Sequence, residues 1–155
     1  MGRLDNKVTL VTGAGAGIGR AIAHAAAAEG AIVVVTDVDG AAAAAVAAEL
    51  GSPASSYAVD VADKASVDTA VAAIHTAYGR IDVLVNNAGW DRAVPFVESE
   101  PELWERVIAI NFVGVLNTCR AVLPLMAAAG GGRVVNLGSD AGRVGSSGEA
   151  VYSGA

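Results

Sequence analysis

A glycine-rich segment near the amino terminus has the composition of a phosphate-binding turn. Residues 12–19 read Thr-Gly-Ala-Gly-Ala-Gly-Ile-Gly and lie between a short apolar run and a stretch typical of a helix. Backbone without Cβ atoms lets a phosphate approach closely, and the N–H groups at a helix start attract it. The spacing G-x-G-x-x-G is not met, because Ile18 and Arg20 stand where the third glycine would fall. Gly13, Gly17 and Gly19 instead give the spacing G-x-x-x-G-x-G. A tight strand-to-helix connection is the alternative interpretation.

A carboxylate follows at the spacing expected for a ribose ligand. Asp37 ends the second apolar run, 18 residues after Gly19, near the roughly 20-residue separation of the acid that binds ribose hydroxyls. A carboxylate there would repel a 2′-phosphate, and residues 14–16 contain no Arg or Lys to hold one. The pattern therefore favours NAD over NADP, with an exposed turn residue as the alternative for Asp37.

Alternating apolar runs and alanine-rich stretches predict the elements that position this turn. Predicted strands cover residues 7–11, 32–35, 55–59, 81–85 and 133–137. Predicted helices cover residues 17–29, 39–50 and 63–78. A longer helix should begin near Ser99, where Ser99 and Glu102 form a capping-box pattern, and Pro124 should bend it. Such apolar strands are buried on both faces, which predicts one α/β domain over residues 1–155 with a parallel sheet between two helix layers.

Composition limits the class of protein. The 155 residues include 16 acidic and 10 basic side chains, a net charge of −6, and 54% are hydrophobic. This balance predicts a packed core and argues against binding to nucleic-acid phosphates. A single cysteine, Cys119, fits a reducing cytoplasm and an inert core thiol, and no uninterrupted apolar run reaches membrane-spanning length. His24 and His75 lack a second ligand at metal spacing, so we expect no metal site. From the cysteine, the charge and the apolar runs together, we expect a cytoplasmic protein with no membrane or nucleic-acid partner.

Taken with several later motifs, the glycine turn resembles that of the short-chain dehydrogenase/reductase family. The motifs are Asp60-Val61 after the third predicted strand, Asn86-Asn87-Ala88-Gly89 after the fourth, Asn111 in the long helix, and Ser139 followed 13 residues later by Tyr152. The resemblance covers the whole chain. It implies a Rossmann-type doubly wound sheet and an NAD-dependent oxidoreductase that transfers a hydride between nicotinamide and a secondary alcohol or ketone.

The resemblance assigns cofactor binding to ten residues and catalysis to three. The cofactor residues are Gly13, Gly17, Ile18, Gly19, Asp37, Asp60, Val61, Asn87, Ala88 and Gly89. Among the catalytic residues, Tyr152 would be the general base, Ser139 would orient the substrate oxygen, and Asn111 would hold a water molecule. Several of these residues also have a simpler interpretation. Residues 87–89 could form only a turn, Ser139 could be a cap or turn serine, and Asn111 could be a buried side chain bonded to backbone.

One part of the family pattern is not completed in this sequence. The family signature is Tyr-x-x-x-Lys, whereas the sequence reads Tyr152-Ser-Gly-Ala155, one position short of the lysine. The resemblance assigns to that lysine the charge that favours the phenolate. We therefore expect an incomplete carboxyl-terminal part of the fold, poor cofactor binding and negligible turnover by these residues alone. A genuinely short, inactive protein is the alternative.

The substrate and the assembly are expected from the same resemblance. Residues 88–91 and 145–152 look most like a 2-hydroxycyclohexanecarboxyl-CoA dehydrogenase, and a 3-oxoacyl-thioester reductase is the next interpretation. Trp90, Asp91 and Arg92 are expected near the substrate, and a full-length member is expected to form a homotetramer, partly through the long helix. A non-catalytic NAD(H)-binding module is the alternative function, and a purely structural subunit is a third.

Overall fold

Five parallel strands form the centre of the fold in the computed structural model, which describes residues 2–155. The strands are β1 (Val8–Val11), β2 (Ile32–Asp37), β3 (Ser55–Ala58), β4 (Val83–Asn86) and β5 (Arg133–Asn136). The helices are α1 (Gly17–Ala28), α2 (Gly40–Leu50), α3 (Lys64–Tyr78), α4 (Pro101–Ile108), α5 (Gly114–Ala128), α6 (Ala141–Val144) and α7 (Ala150–Gly154). A short 3-10 turn covers Phe96–Glu98, and a π-helical segment, Ala109–Val113, joins α4 to α5.

The sheet has the predicted doubly wound, Rossmann-type topology. Its strand order is β3-β2-β1-β4-β5, and every neighbouring pair is parallel. The chain moves outward from β1 to β3 and then crosses to the other side of β1 for β4 and β5. The direction therefore reverses between β1 and β4, where the carboxyl ends of the strands leave a crevice that ligands of such sheets occupy.

Helices lie on both faces of the sheet and complete three layers. The prediction that all strands are buried on both faces was wrong for β5, where Val135 is 48% exposed because the cluster under α1 and α2 includes no residue of that strand. One layer packs through α3 and α5, whose buried side chains include Val67, Val71, Ile74, Val122 and Met126. The other packs through α1 and α2, whose buried side chains are mostly alanine: Ala23, Ala26, Ala43, Val46 and Ala47. Small side chains bring the helix axes close to the sheet. The alanine-rich segments are therefore packed helix faces.

The start of the long helix differs from the capping-box prediction. The helix begins at Pro101, and the preceding Glu100 makes no side-chain cap. The Ser99 hydroxyl instead donates to the Phe96 carbonyl and accepts from Trp104 Nε1, both at 2.7 Å. Trp104 also stacks on Phe96, with ring centroids 5.5 Å apart. The prediction was wrong because Ser99 belongs to the preceding 3-10 turn, whose packing against Trp104 takes its hydroxyl.

Pro124, where a bend was expected, lies inside α5, whereas the departure from α-helical hydrogen bonding lies earlier, in the π-helical segment.

The long helix also carries two apolar faces. Residues 101–128 are long and apolar enough to cross a bilayer by length and composition. Their inward face buries Leu103, Val107, Val122 and Met126, while Ile108, Phe112, Leu116 and Leu123 are 43 to 52% exposed. The absence of a membrane partner stays a prediction.

Candidate active site

The glycine turn follows β1 and begins α1. Gly13 and Gly17 adopt φ angles of +61° and +54°, in the left-handed region that favours glycine. A Cβ on Gly13 would lie 2.8 Å from Ala88 Cα, and one on Gly19 would lie 2.2 Å from the Gly13 carbonyl oxygen. No atom lies within 4 Å of the position of a Cβ on Gly17. Packing therefore excludes side chains at Gly13 and Gly19, while the start of α1 at Gly17 leaves open space that a phosphate could enter.

Thr12 and Asn87 join the glycine turn to the turn after β4. Thr12 Oγ1 accepts hydrogen bonds from the backbone N–H groups of Asn87 and Ala88, both at 3.0 Å. Asn87 Nδ2 donates to the carbonyls of Thr12 and Gly13, at 2.9 and 3.0 Å. Thr12 is 2% exposed, so these bonds are shielded from water. The turns after β1 and β4 thereby form one fixed surface at the point where the strand order reverses.

Asn86, the last residue of β4, helps to fix the turn that follows it. Its Oδ1 accepts from the buried Thr118 hydroxyl at 2.7 Å, and its Nδ2 donates to Asn136 Oδ1 at 2.8 Å. These bonds connect β4 to α5 and β5. Cys119 is half-buried against the core, with its Sγ 3.5 Å from Asn86 Nδ2. The placement agrees with the expected packing thiol.

A cavity of about 430 Å³ opens beside the glycine turn, and we call it the Asp37 cavity. Seven of the ten predicted cofactor residues line it: Gly13, Asp37, Asp60, Val61, Asn87, Ala88 and Gly89. Asp37 is the last residue of β2, and its Oδ2 accepts from the Gly15 N–H at 2.9 Å while Oδ1 accepts from the Asp39 N–H at 3.0 Å. Carboxylate oxygens accept more than one bond each. Asp37 can therefore accept further bonds from a ligand in this cavity.

A second cavity, of about 460 Å³, contains the predicted catalytic residues, and we call it the Tyr152 cavity. Its lining includes Asn111, Ser139 and Tyr152, together with Ile18. Asn87, Ala88 and Gly89 line both cavities, so the two adjoin across the turn after β4. Both volumes fall in the range of about 300–1,000 Å³ typical of small-molecule sites. The open start of α1, the Asp37 cavity and the Tyr152 cavity together fit the phosphates, one ribose and the reactive end of a dinucleotide.

Two of the three predicted catalytic side chains already bond to the protein backbone. Asn111, in the π-helical segment, accepts from the Trp90 N–H at 2.9 Å, and its Nδ2 donates to the Trp90 and Val107 carbonyls at 2.6 and 3.1 Å. Ser139 Oγ accepts from the Ala141 N–H at 3.2 Å at the start of α6. These contacts agree with the simpler interpretations, in which Asn111 is a side chain bonded to backbone and Ser139 is a cap or turn serine. A water held by Asn111 and a substrate oxygen held by Ser139 stay predictions.

Comparison with known proteins gives the family. The sequence profile described as short chain dehydrogenase matches residues 7–155. The chain belongs to the short-chain dehydrogenase family. The crystal structure of a short chain dehydrogenase from Mycobacterium avium superposes with a TM-score of 0.92 at 38% identity, covering 99% of this chain and 61% of that one.

Curated short-chain dehydrogenases carry related sequences. A sorbitol dehydrogenase of Cereibacter sphaeroides is 46% identical over 151 residues, 97% of this chain and 59% of its own length. A D-threitol dehydrogenase of Mycolicibacterium smegmatis is 44% identical over 145 residues, 92% of this chain and 56% of its own length. A 3-oxoacyl-[acyl-carrier-protein] reductase of Thermotoga maritima is 36% identical over 153 residues, 97% of this chain and 62% of its own length. The chain therefore spans less than two thirds of the length of these relatives.

The structure of this short-chain dehydrogenase chain separates residues that the sequence grouped together. Trp90 lines the Asp37 cavity, whereas Asp91 and Arg92 line a narrow cleft beside Tyr152. Asn111 holds the Trp90 backbone at the Asp37 cavity, and the expectation that Trp90, Asp91 and Arg92 lie near the substrate stays a prediction. Arg106 was missed, although it stands one helical turn before Ile110 and both line the Asp37 cavity.

Three titratable side chains away from these cavities, Arg20, His24 and Glu49, are joined through Glu49. His24 and Arg20 both bond to Glu49 Oε2, at 3.0 and 2.8 Å, and these bonds hold the pKa of the Glu49 carboxyl below its usual value. Within residues 2–155, no three His, Cys, Asp or Glu side chains are grouped closely enough to hold a metal ion.

Replacing Gly19 with alanine is expected to destabilise the fold by about 1–3 kcal/mol, the usual cost of overpacking. The added Cβ would lie 2.2 Å from the Gly13 carbonyl oxygen and 2.4 Å from Asn87 Nδ2, so the bonds between the two turns must distort. Chemical denaturation of the full-length protein measures the change. Gly138→Ala is the matched control, because the added Cβ meets no atom within 4 Å. Equal stability of the two variants would contradict this account of the turn.

Proposed function

We propose that the full protein is an NAD-dependent oxidoreductase that transfers a hydride between the cofactor and a secondary alcohol or ketone of a small molecule. The observation that carries the proposal is the pair of adjoining cavities. The Asp37 cavity presents carboxylates suited to ribose hydroxyls, and the Tyr152 cavity groups a tyrosine with a serine. The shared residues Asn87, Ala88 and Gly89 would lie along the nicotinamide half of the cofactor.

The preference for NAD rests on the charge around Asp37. Its carboxylate lines the cavity and is already oriented by two backbone N–H groups. A ribose with free hydroxyls can donate to it, whereas a 2′-phosphate would place a like charge beside it. Two such charges 4 Å apart repel by about 4 kcal/mol at the effective dielectric constant typical near a protein surface. The neighbouring residues 14–16 are Ala-Gly-Ala, so no cation on the turn offsets that repulsion.

Proton transfer is assigned to the Tyr152 cavity. The bound cofactor would accept or supply the hydride. Tyr152 would take the proton of the alcohol hydroxyl as the carbon is oxidised, and would return it during reduction. Ser139 would hold the same oxygen by a hydrogen bond and so orient it toward Tyr152. Asn111 lies in the π-helical segment, and its side chain already holds the backbone of Trp90. The predicted water molecule would bind at this segment.

A polyol is the substrate class that we propose first. The two relatives with the highest identities above are named for sorbitol and D-threitol, which are neutral polyhydroxyl compounds. A 3-hydroxyacyl thioester is the second candidate, favoured by the similarity to the 3-oxoacyl-[acyl-carrier-protein] reductase. The 2-hydroxycyclohexanecarboxyl-CoA substrate remains a member of this second group.

A turnover panel tests the proposal. We expect the full-length protein to reduce NAD with sorbitol or D-threitol faster than with a 3-hydroxyacyl thioester, and to use NAD with a higher kcat/KM than NADP. Formation of the reduced cofactor measures each rate. Binding of NADH without turnover of any alcohol in the panel would instead support a non-catalytic NAD(H)-binding module. Failure to bind NADH would favour a structural subunit.

The exposed face of the long helix supports a proposal about assembly. Ile108, Phe112, Leu116 and Leu123 follow helical spacing and form an apolar stripe along α4, the π-helical segment and α5. We propose that a second copy covers this stripe and that the full-length protein is a homotetramer. Sedimentation of the full-length protein tests the proposal, and a monomer at micromolar concentration would contradict it.

We also propose a cytoplasmic location, without a nucleic-acid or membrane partner. The support is the single half-buried cysteine and the net charge of −6, which do not favour an oxidising compartment or an anionic surface. Fractionation of cells that express the full-length protein tests the location.

A further inference from the structure

A backbone hydrogen bond joins the segment after β4 to the residues that lead into α7. The Val94 N–H donates to the Gly148 carbonyl at 2.8 Å. In the described residues 2–155, no other backbone hydrogen bond links residues 87–100 to residues 138–155. Tyr152 follows Gly148 closely in the chain and belongs to α7. The bond is therefore near the side chain that is proposed to transfer the proton.

The start of α7 has no side-chain cap of its own. Glu149 is the N-cap residue, and its side chain makes no capping bond. The first N–H groups of a helix have no partner within the helix, so a helix start is usually fixed by other contacts. Here the Val94–Gly148 bond lies directly before the start, and α7 packs against α4 and α6. Other parts of the fold therefore position the beginning of α7.

The segment from Trp90 to Val94 is held at both ends. Asn111 accepts from the Trp90 N–H at 2.9 Å and donates to the Trp90 carbonyl at 2.6 Å. Val94, at the other end, makes the bond to the residues before α7. Asn111 and Tyr152 both line the Tyr152 cavity. The segment therefore connects two of the predicted catalytic residues through hydrogen bonds of its backbone.

Side chains pack closely around this connection. The narrow cleft beside Tyr152 is lined by Val94 and by Leu103 and Val107 of α4. Its volume is about 10 Å³, which is room for about one water molecule at most. Leu103 and Val107 are 8% and 1% exposed, so the contact is continuous with the core. Close-packed groups transmit displacements, and a shift of the Val94 backbone should therefore reach α7.

We propose that Val94 and Gly148 are positioning residues, which hold Tyr152 at the distance from the substrate oxygen that proton transfer requires. A general base must come within about 2.6–3.2 Å of the atom whose proton it takes. A displacement of about 1 Å can lower a rate by about 100-fold. Loss of the Val94–Gly148 bond should therefore slow proton transfer without removing any group that touches the substrate. The inference rests on the proposed function, because Tyr152 must be the group that transfers the proton.

Substitutions at Val94 in the full-length protein test the bond directly. Val94→Pro removes the N–H donor, whereas Val94→Ala shortens the side chain and keeps the donor. We expect Val94→Pro to lower kcat by about 10- to 100-fold, and Val94→Ala to lower it by less than about threefold. The substrate is the alcohol of the turnover panel that the unsubstituted protein oxidises fastest with NAD. The Kd for NADH, measured by calorimetric titration, should stay within about twofold for both variants, because Val94 lines neither the Asp37 cavity nor the Tyr152 cavity.

Two glycines before α7 give a second pair of variants. Gly148 and Gly145 have φ angles of +79° and +77°, so an alanine strains the backbone at both positions. Strain at Gly148 acts on the residue whose carbonyl accepts from Val94, and the added Cβ would lie 3.4 Å from the Val94 nitrogen. At Gly145, no atom lies within 4 Å of the added Cβ. We expect Gly148→Ala to lower kcat at least about fivefold more than Gly145→Ala does, with a similar loss of thermal stability.

A double-mutant cycle with Tyr152→Phe separates positioning from a general structural effect. Removal of the Tyr152 hydroxyl leaves no proton-transfer group for the Val94–Gly148 bond to position. The two substitutions should therefore not be additive. We expect Val94→Pro to change kcat by less than about twofold in the Tyr152→Phe protein, compared with the loss of about 10- to 100-fold when the hydroxyl is present.

Three results would overturn the inference. They are equal kcat values for Val94→Pro and Val94→Ala, the same fold loss with and without the Tyr152 hydroxyl, and a Kd for NADH that rises as much as kcat falls. Thermal unfolding shows whether each variant is folded. The glycine pair decides the question where Val94→Pro is unfolded, and equal kcat values for Gly148→Ala and Gly145→Ala would then exclude the bond from positioning. Absence of turnover by the unsubstituted protein would instead refute the proposed function, on which the positioning role rests.

Discussion

Replacing Asp37 with alanine in the full-length protein is expected to lower kcat/KM for NAD by about 10- to 100-fold, while NADP becomes a better substrate than before. The carboxylate lines the cavity at the end of β2 and is oriented by the N–H groups of Gly15 and Asp39. A hydrogen bond to a charged acceptor contributes about 1.5–3 kcal/mol, which gives the expected loss for NAD. Removing the negative charge also removes its repulsion of a 2′-phosphate. Steady-state kinetics with both cofactors measures the change.

The matched control for Asp37 is Asp68→Ala. Asp68 is an exposed carboxylate on α3 that pairs with Lys64 and lines neither cavity. Its removal changes the net charge of the chain by the same amount without altering the proposed ribose site. An Asp37 variant that keeps the same ratio of NAD to NADP efficiency as the unsubstituted protein would show that this carboxylate does not select the cofactor.

Replacing Tyr152 with phenylalanine in the full-length protein is expected to lower kcat by about 10²- to 10⁴-fold, the usual contribution of a general acid–base group. The substitution removes one hydroxyl and keeps the ring, so the packing of α7 should persist. Tyr152 lines the same cavity as Ser139 and Asn111, while the Asp37 cavity lies across the turn after β4. The Kd for NADH should therefore remain within about twofold of the unsubstituted value, because the role proposed for the hydroxyl is proton transfer and not cofactor binding.

Tyr57→Phe is the matched control for the tyrosine substitution. Tyr57 is a half-buried residue of β3 that packs against the core, and burial raises the pKa of its hydroxyl above the usual value. It lines neither cavity, so its removal should leave kcat unchanged. Retention of more than a tenth of kcat by the Tyr152 variant would assign proton transfer to another group.

Local sequence patterns were sufficient to predict the elements, and the fold brings most of the predicted site residues together at two cavities, while their roles stay predictions. All five predicted strands and all four predicted helical regions are present. Continuous β-branched runs suit the buried central strands β1 and β2, whereas β3 and β5 are half-buried or exposed. The ends of those strands meet at one edge of a parallel sheet. Residues that follow β1, β2 and β4 therefore meet in the Asp37 cavity, as the motif spacing predicted. The prediction of a capping box failed because a local pattern does not include the competing partner of Ser99, Trp104.

The amino-acid sequence by itself determined the order of strands and helices, the glycine turn and the acid that follows it, since these depend on backbone propensity and on short spacings. Tertiary structure alone decided which face each distant side chain occupies. Thr12 bonds to the turn at Asn87, and Trp90 stacks with Arg106 at the Asp37 cavity. Such contacts join residues whose separation in the chain carries no periodic signal. They depend on how the packed layers bring the loops after β1 and β4 together with the start of the long helix.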